Sequence, residues 1–216
     1  AKANKLPKLI EVKDIKSNLH MHSTYSDGNL SMMDMAQAAI KRGMKVIAFT
    51  DHSVGLAVAN GMKMEDHKKQ AAEIKKIQKQ LGDEILVLHS TEVEIKADGT
   101  LDYPDEFLAT LDIVVASLHT SLRQPREQVT ARLLNVMKNP HVDIIGHPTG
   151  REIPNREGAD LDMEVILQAA AKSGVVMEIS AAPERLDLDD HHARRARGQH
   201  LRRHHHGHYR GHLLQP

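Results

Sequence analysis

The chain has 216 residues, 40% of them hydrophobic and 27% charged, which suits one sizeable globular domain and argues against global disorder. Formal net charge is zero, there is no Cys, and aromatics make up only 2%. These values exclude disulfide frameworks, thiolate metal sites and thiol nucleophiles, and they argue against a base-stacking platform for single-stranded nucleic acid. No apolar run approaches the roughly 20 residues of a membrane span, and residues 1–7 lack the apolar stretch of a signal peptide, so a cytoplasmic protein with no membrane partner is expected.

Short apolar runs alternate with helical patterns along the chain. Residues 17–22 read as a strand carrying His20 and His22. Residues 31–42 read as a helix: Ser31 is placed to cap it, Asp34 follows three positions on, and Gly43 ends it. Residues 46–50 form a compact apolar strand, followed by Asp51, which could cap a turn, and His52. Residues 64–81 form a long Lys/Glu/Gln-rich helix closed by Gly82, in which His67 reads as solvated. Residues 85–88 are the next strand, followed by His89, read as core or support, and by Glu92. Residues 113–116 follow, with His119 beyond them. A helix over 126–138 stops at Asn139-Pro140, which leaves His141 in a loop. Residues 142–145 are a strand followed by His147, residues 161–173 a helix closed by Gly174, and residues 175–179 the sixth strand. Strands alternating with helices argue for parallel βα units, hence an α/β layer fold or a barrel. The near-continuous apolar strands require both sheet faces to be covered. Residues 17–197 read as one domain, between a connector at 1–16 and a His/Arg-rich tail at 198–216.

Histidine is the compositional outlier, at 16 residues. Residues 1–190 hold eight of them, with 23 Lys and Arg against 29 Asp and Glu; residues 191–216 hold the other eight, with six Arg and no acid. The body is therefore acidic and the end of the chain basic. Ligand-capable residues recur at the carboxyl ends of five successive strands, where parallel α/β folds build their sites. His20 and His22 are two apart on a strand, so they share a face and can chelate one cation. Imidazole suits zinc, manganese and iron, and the carboxylates of Asp27 and Glu92 shift the preference toward harder ions. A carboxylate bridging two metals activates water and neutralises phosphate oxygens. Any one strand-end His alone is more often a surface or hydrogen-bonded residue; the recurrence favours a metal site.

Residues 19–28, Leu-His-Met-His-Ser-Thr-Tyr-Ser-Asp-Gly, resemble the first motif of the PHP family, the polymerase and histidinol phosphatase metal-dependent phosphoesterases. Thr50-Asp51-His52 resembles the second, and Glu92, Ser117-Leu118-His119 and Gly146-His147-Pro148 resemble the third to fifth. Residues 6–11, 101–106, 146–151 and 183–188 are similar to the PHP domain of bacterial family X DNA polymerases. That resemblance implies a covalently linked polymerase part outside this chain. It also implies a distorted (β/α)7 TIM-like barrel with up to three divalent metals, manganese, zinc or iron. By motif, His20, His22 and Glu92 would hold the first metal, Glu92 would bridge to a second held by His119 and His147, and Asp27 and His52 would hold the third. The implied chemistry is water- or hydroxide-driven attack on phosphorus, and in the family X subgroup 3′–5′ exonuclease and DNA 3′-end processing. Arg151 and Arg185 are candidate phosphate contacts, or surface ion-pair residues.

The family closes its centre with an Asp-x-His after a last strand. Residues 191–216 contain no Val, Ile, Thr or acid, so that motif is absent here. A reading-frame shift near residue 197 would account for the change. The expected consequence is a missing or altered last strand, an open sheet edge, and reduced activity. Competing functions are a small-molecule phosphatase of the histidinol-phosphatase kind, a degenerate metal-binding scaffold, and a nucleic-acid binder acting through the arginine-rich tail.

Overall fold

The computed structural model describes residues 10–201, with side chains through residue 197. Residues 1–9 of the expected connector and 202–216 of the expected tail lie outside the described residues. Two units make up the chain: the described residues of Ala1–Glu94 with Leu101–Ala116, and those of Ile95–Thr100 with Ser117–Pro216.

The first unit runs β1 (Ser17–Met21), α1 (Met32–Lys41), β2 (Val46–Phe49), α2 (Met64–Leu81), β3 (Leu86–Glu94), a single turn α3 (Asp105–Leu108) and β4 (Ile113–Ser117). These four strands lie side by side in chain order. β1 and β2 pair in parallel with Ser17 opposite Val46 and Met21 opposite Phe49, and the register slips between Asn18 and Met21. β2 and β3 pair in parallel from Val46 opposite Leu86 to Phe49 opposite His89. Parallel pairing sends all the carboxyl ends to one edge, so the residues after β1 and β2 meet the second half of β3.

Ser31 caps α1, its side chain accepting from the Asp34 backbone N–H at 3.2 Å. α2 ends at Gly82, with φ +56, a conformation that favours glycine. Met32, Ala36 and Ala39 of α1 and Ile74 and Ile77 of α2 cover one face of the sheet around Ile47, Phe49, Ile85 and Val87. The buried stripe of α2 continues toward its N-terminus as Gln70 and His67. Helix and strands run in opposite senses in a βα unit, so this polar half of the stripe lies over the carboxyl ends of the strands.

The second unit contains α4 (Arg126–Val136), β5 (Ile144–Gly146), α5 (Met163–Ser173), β6 (Val176–Met177) and α6 (Asp190–Leu201). β5 and β6 pair in parallel, Ile144 opposite Val176. α5 is capped by Asp162, which accepts from the Val165 N–H at 3.2 Å, and closes at Gly174 with φ +85. It buries Met163, Ile166, Leu167 and Ala170, one helical face. Arg132 of α4 is buried, at 2% exposure, and replaces an apolar residue in that helix's inward stripe.

The α/β class stands, with six strands among the described residues, at the six expected places. The expected strand at 85–88 is longer than its apolar run, since β3 continues through Ser90, Thr91 and Glu92 to Glu94. The strand expected at 175–179 is shorter, holding two residues. Beyond Asp190 the chain is helix α6 as far as Leu201, and no seventh strand occurs among the described residues. No helix of the described residues is long and apolar enough to cross a membrane.

Candidate metal centre

The carboxyl-end edge of the first unit gathers five of the sequence-predicted ligands. Glu92 projects from β3 with 1% exposure. Its Oε1 lies 3.2 Å from His20 Nε2, and its Oε2 lies 3.6 Å from His22 Nε2 and 2.8 Å from His52 Nδ1. Asp27, from the turn after β1, reaches the same imidazoles on their other side, 3.5 Å from His52 Nε2 and 3.9 Å from His22 Nδ1. The His22 and His52 rings stack with centroids 4.2 Å apart. Two overlapping groups, His20–His22–Glu92 and His22–Asp27–His52, each keep one ligand atom per residue within 4.8 Å of the others.

The backbone explains this convergence. Thr50 and Met21 exchange hydrogen bonds across β1 and β2, Met21 N–H donating to Thr50 Oγ1 at 2.9 Å and Thr50 N–H to Met21 O at 2.8 Å. An isolated bridge then sets His52 opposite Glu92. Burial holds His22 down to about 4, partly offset by Glu92 and reinforced by His52 and His20, so it is neutral and ligand-competent near pH 7. Its Nδ1 is buried with no hydrogen-bond partner among the described residues. A buried imidazole nitrogen without a donor, beside two carboxylates, suits a cation.

In the second unit His119 and His147 meet edge to face, centroids 5.1 Å apart. His147 takes a positive φ of 23 at the end of β5, and its N–H donates to Glu178 Oε2 at 2.5 Å. Asp187, 1% exposed, accepts from Thr149 N–H and Oγ1, each at 2.9 Å, and from Gly150 N–H at 3.1 Å, which fixes the turn after His147.

Arg151 and Arg185 clasp one another in that unit. Arg151 donates Nε to Arg185 O at 2.6 Å and Nη2 to Leu186 O; Arg185 donates Nη1 to Arg151 O at 3.1 Å and lies 3.6 Å from Glu152. Their guanidinium groups thus tie the 151 and 185 segments together.

His67 is a correction. It is buried at 1% exposure instead of solvated, with Nε2 3.1 Å from Tyr103 Oη and Nδ1 3.4 Å from His89 Nε2. Its charged neighbours lie on the other face of α2. Asp51 does more than cap a turn, accepting four side-chain hydrogen bonds at 0% exposure. Sequence reading missed Gln70, Glu178 and Asp187. Only Glu178, at the end of the sixth strand, carried the strand-end signal that located the histidines.

A family model described as the PHP domain matches residues 18–182. The chain is 46% identical over 191 residues to the DNA polymerase/3′-5′ exonuclease PolX of Bacillus subtilis, covering 88% of this chain and 33% of that protein. It is 34% identical over 166 residues to a protein of Caldanaerobacter subterraneus provisionally named a phosphatase, covering 74% of this chain and 60% of the other. The chain thus spans about a third and three-fifths of these relatives. A solved structure provisionally described as a histidinol phosphatase, from Listeria monocytogenes, shares the fold with a TM-score of 0.64 at 15% identity, over 85% of this chain and 91% of that one. The family match contains all seven motif residues from His20 to His147, and on it the chain belongs to the PHP domain family.

Proposed function

We propose that this chain is a divalent-metal-dependent phosphoesterase domain that processes the 3′ ends of DNA, linked in its parent protein to a polymerase part. The observation that carries the metal-site reading is the convergence of His20, His22 and His52 on Glu92, with Asp27 on the far side of two of those rings. The DNA assignment is supported by the 46% identity to a protein named a polymerase and 3′-5′ exonuclease. The motif resemblance would add His119 and His147 to the ligand set.

The residues fit a metal, being all nitrogen and oxygen donors with a neutral imidazole among them. When bound, such ions supply Lewis-acid activation of water and neutralisation of phosphate oxygens. The chain's own task is to hold two carboxylates and three imidazoles on one edge. His22 is common to both of the overlapping groups, and Glu92 of the first lies 2.8 Å from His52 of the second, while Asp27, half exposed, stands on the solvent side. Two of the family's ligand positions, the Asp-x-His, have no counterpart in residues 191–216, so we expect activity below that of a complete set.

The test is metal-stripped protein reloaded with Mn²⁺ or Zn²⁺ and offered a 3′-phosphorylated oligonucleotide, a 3′-hydroxyl oligonucleotide or histidinol phosphate. Metal-dependent release from the oligonucleotides is expected, with a loss on the order of 100-fold or more in Glu92→Gln. Turnover of histidinol phosphate alone would assign the small-molecule class. Stoichiometric metal without turnover of any substrate would assign the scaffold role.

A further inference from the structure

We infer that Asp51 is the positioning residue of the first unit's ligand set, holding the candidate ligands in register without touching a metal itself. The inference rests on the phosphoesterase reading above.

The geometry is specific. Asp51 Oδ1 accepts from Ser23 N–H at 2.7 Å and from Ser26 Oγ at 2.6 Å; Oδ2 accepts from Ser23 Oγ at 2.8 Å and from Gln70 Nε2 at 2.6 Å. Its backbone carbonyl accepts from the N–H of Glu92 at 3.2 Å and from Thr91 Oγ1 at 3.2 Å. Ser23 adjoins His22, Ser26 adjoins Asp27, His52 follows Asp51 in the chain, and Glu92 is bonded directly. Four of the five candidate ligands in this unit are therefore bonded to Asp51, or adjacent in sequence to it or to a residue bonded to it.

The turn that Asp51 holds is tight. Ser26 N–H and Gly28 N–H both donate to Ser23 O, at 3.1 and 2.9 Å. A Cβ at Gly28 would stand 2.1 Å from the His22 carbonyl oxygen, so the chain folds directly back onto the His22 peptide. Asp27 is carried at the outer corner of this turn, and its carboxylate needs the turn's shape to reach His52 and His22. Ser23 Oγ, with its proton given to Asp51, is left to accept Tyr25 N–H at 3.2 Å, which extends the hold through the turn. Gln70 anchors the carboxylate from α2, so the helix fixes the hub. A buried carboxylate receiving two donors on each oxygen is a rigid reference point, and supporting groups of this kind set ligand orientation.

The test uses the full chain with Asp51→Asn and, as the milder change, Ser26→Ala. Two readouts are taken: amide hydrogen exchange of the metal-free protein, and Mn²⁺ affinity from the electron paramagnetic resonance signal of free Mn²⁺. Asp51→Asn should speed exchange of the Ser23, Ser26 and Gly28 amides about 10-fold or more, with the amides of α2 and of the second unit unchanged, and should weaken Mn²⁺ binding about 10- to 100-fold. Ser26→Ala should shift both in the same direction by less, at an unchanged melting midpoint. Wild-type exchange and wild-type Mn²⁺ affinity in both variants overturn the inference, as does an affinity loss in Asp51→Asn that only tracks its unfolded fraction while Ser26→Ala behaves as wild type. A wild-type chain that binds no Mn²⁺ overturns the phosphoesterase reading instead, and the exchange readout then still decides whether Asp51 holds the turn.

Discussion

His67 shows how one side chain can belong to a charged segment and still be core. Its neighbours Glu65, Asp66, Lys68 and Lys69 face outward, while His67 lies on the stripe of Gln70, Ile74 and Ile77. Tyr103 donates its hydroxyl proton to Met62 O, so its oxygen is the acceptor for His67 Nε2–H, and His67 Nδ1 is left to accept from His89 Nε2–H. Burial, then the nearby His89, hold His67 down to about 4 against 6.5 when unfolded. The unfolded chain binds the extra proton in that interval, so this contribution to stability is intact above about pH 6.5 and lost as pH falls toward 4. The loss amounts to roughly 3 kcal/mol when complete. His22, held down to about 4 by burial, acts in the same window in the metal-free protein. Urea unfolding of metal-free protein between pH 4.5 and 7 should show stability falling with acid. His67→Phe should reduce the slope by about one proton, or roughly 1.4 kcal/mol per pH unit near pH 5. An unchanged slope would mean that His67 is not held neutral by the fold.

At the scale of elements, Arg132 is the counterpart in the second unit. It sits among Val129, Leu133 and Val136 on the buried face of α4 and donates to four carbonyls. Nε reaches Lys96 O at 3.0 Å, Nη1 reaches Ser121 O at 3.1 Å, and Nη2 reaches Ile95 O at 2.6 Å and Thr120 O at 3.1 Å. The helix thereby staples the 95–97 segment to the loop just beyond His119. Arg132→Ala strands those carbonyls and should cost about 3 kcal/mol or more in urea unfolding, with Arg132→Lys recovering only part of it. Equal stability in Arg132→Ala would show the staple to be idle. What was legible in the sequence follows the same division between local and long-range causes. α2 matches its expected bounds because a sustained helical period ends at a glycine. β3 extends beyond its expected bounds because its second half is mostly polar yet buried, so no apolar run marks it. The ligands after the strands were legible as residue types at strand ends. Asp51 and Asp187 were not, because their importance lies in partners 19 to 38 positions away. Arg132 was hidden for the same reason, with backbone acceptors from 11 to 37 positions distant.

At the scale of the whole molecule, the ligand edge makes stability depend on what fills it. Gathering two carboxylates and three imidazoles within a few ångströms desolvates ionisable groups on folding, a cost that a bound cation offsets. A divalent ion that binds only the folded chain returns RT ln(1 + [L]/Kd), about 2.7 kcal/mol at 100 times Kd. Chelation should therefore lower the melting midpoint by several degrees, and readdition of Mn²⁺ or Zn²⁺ should restore it; for a chain of this size each kcal/mol corresponds to roughly 2–4 °C. Glu92→Gln separates this effect from general ionic stabilisation. It removes the carboxylate that faces three imidazoles, so its midpoint should no longer respond to chelator, while its apo form stays at or above the wild-type apo midpoint because a buried charge is gone. If Glu92→Gln shifts with chelator as far as wild type, the ion that stabilises the chain binds elsewhere, and the convergence on Glu92 is a hydrogen-bonded core cluster instead of a metal centre.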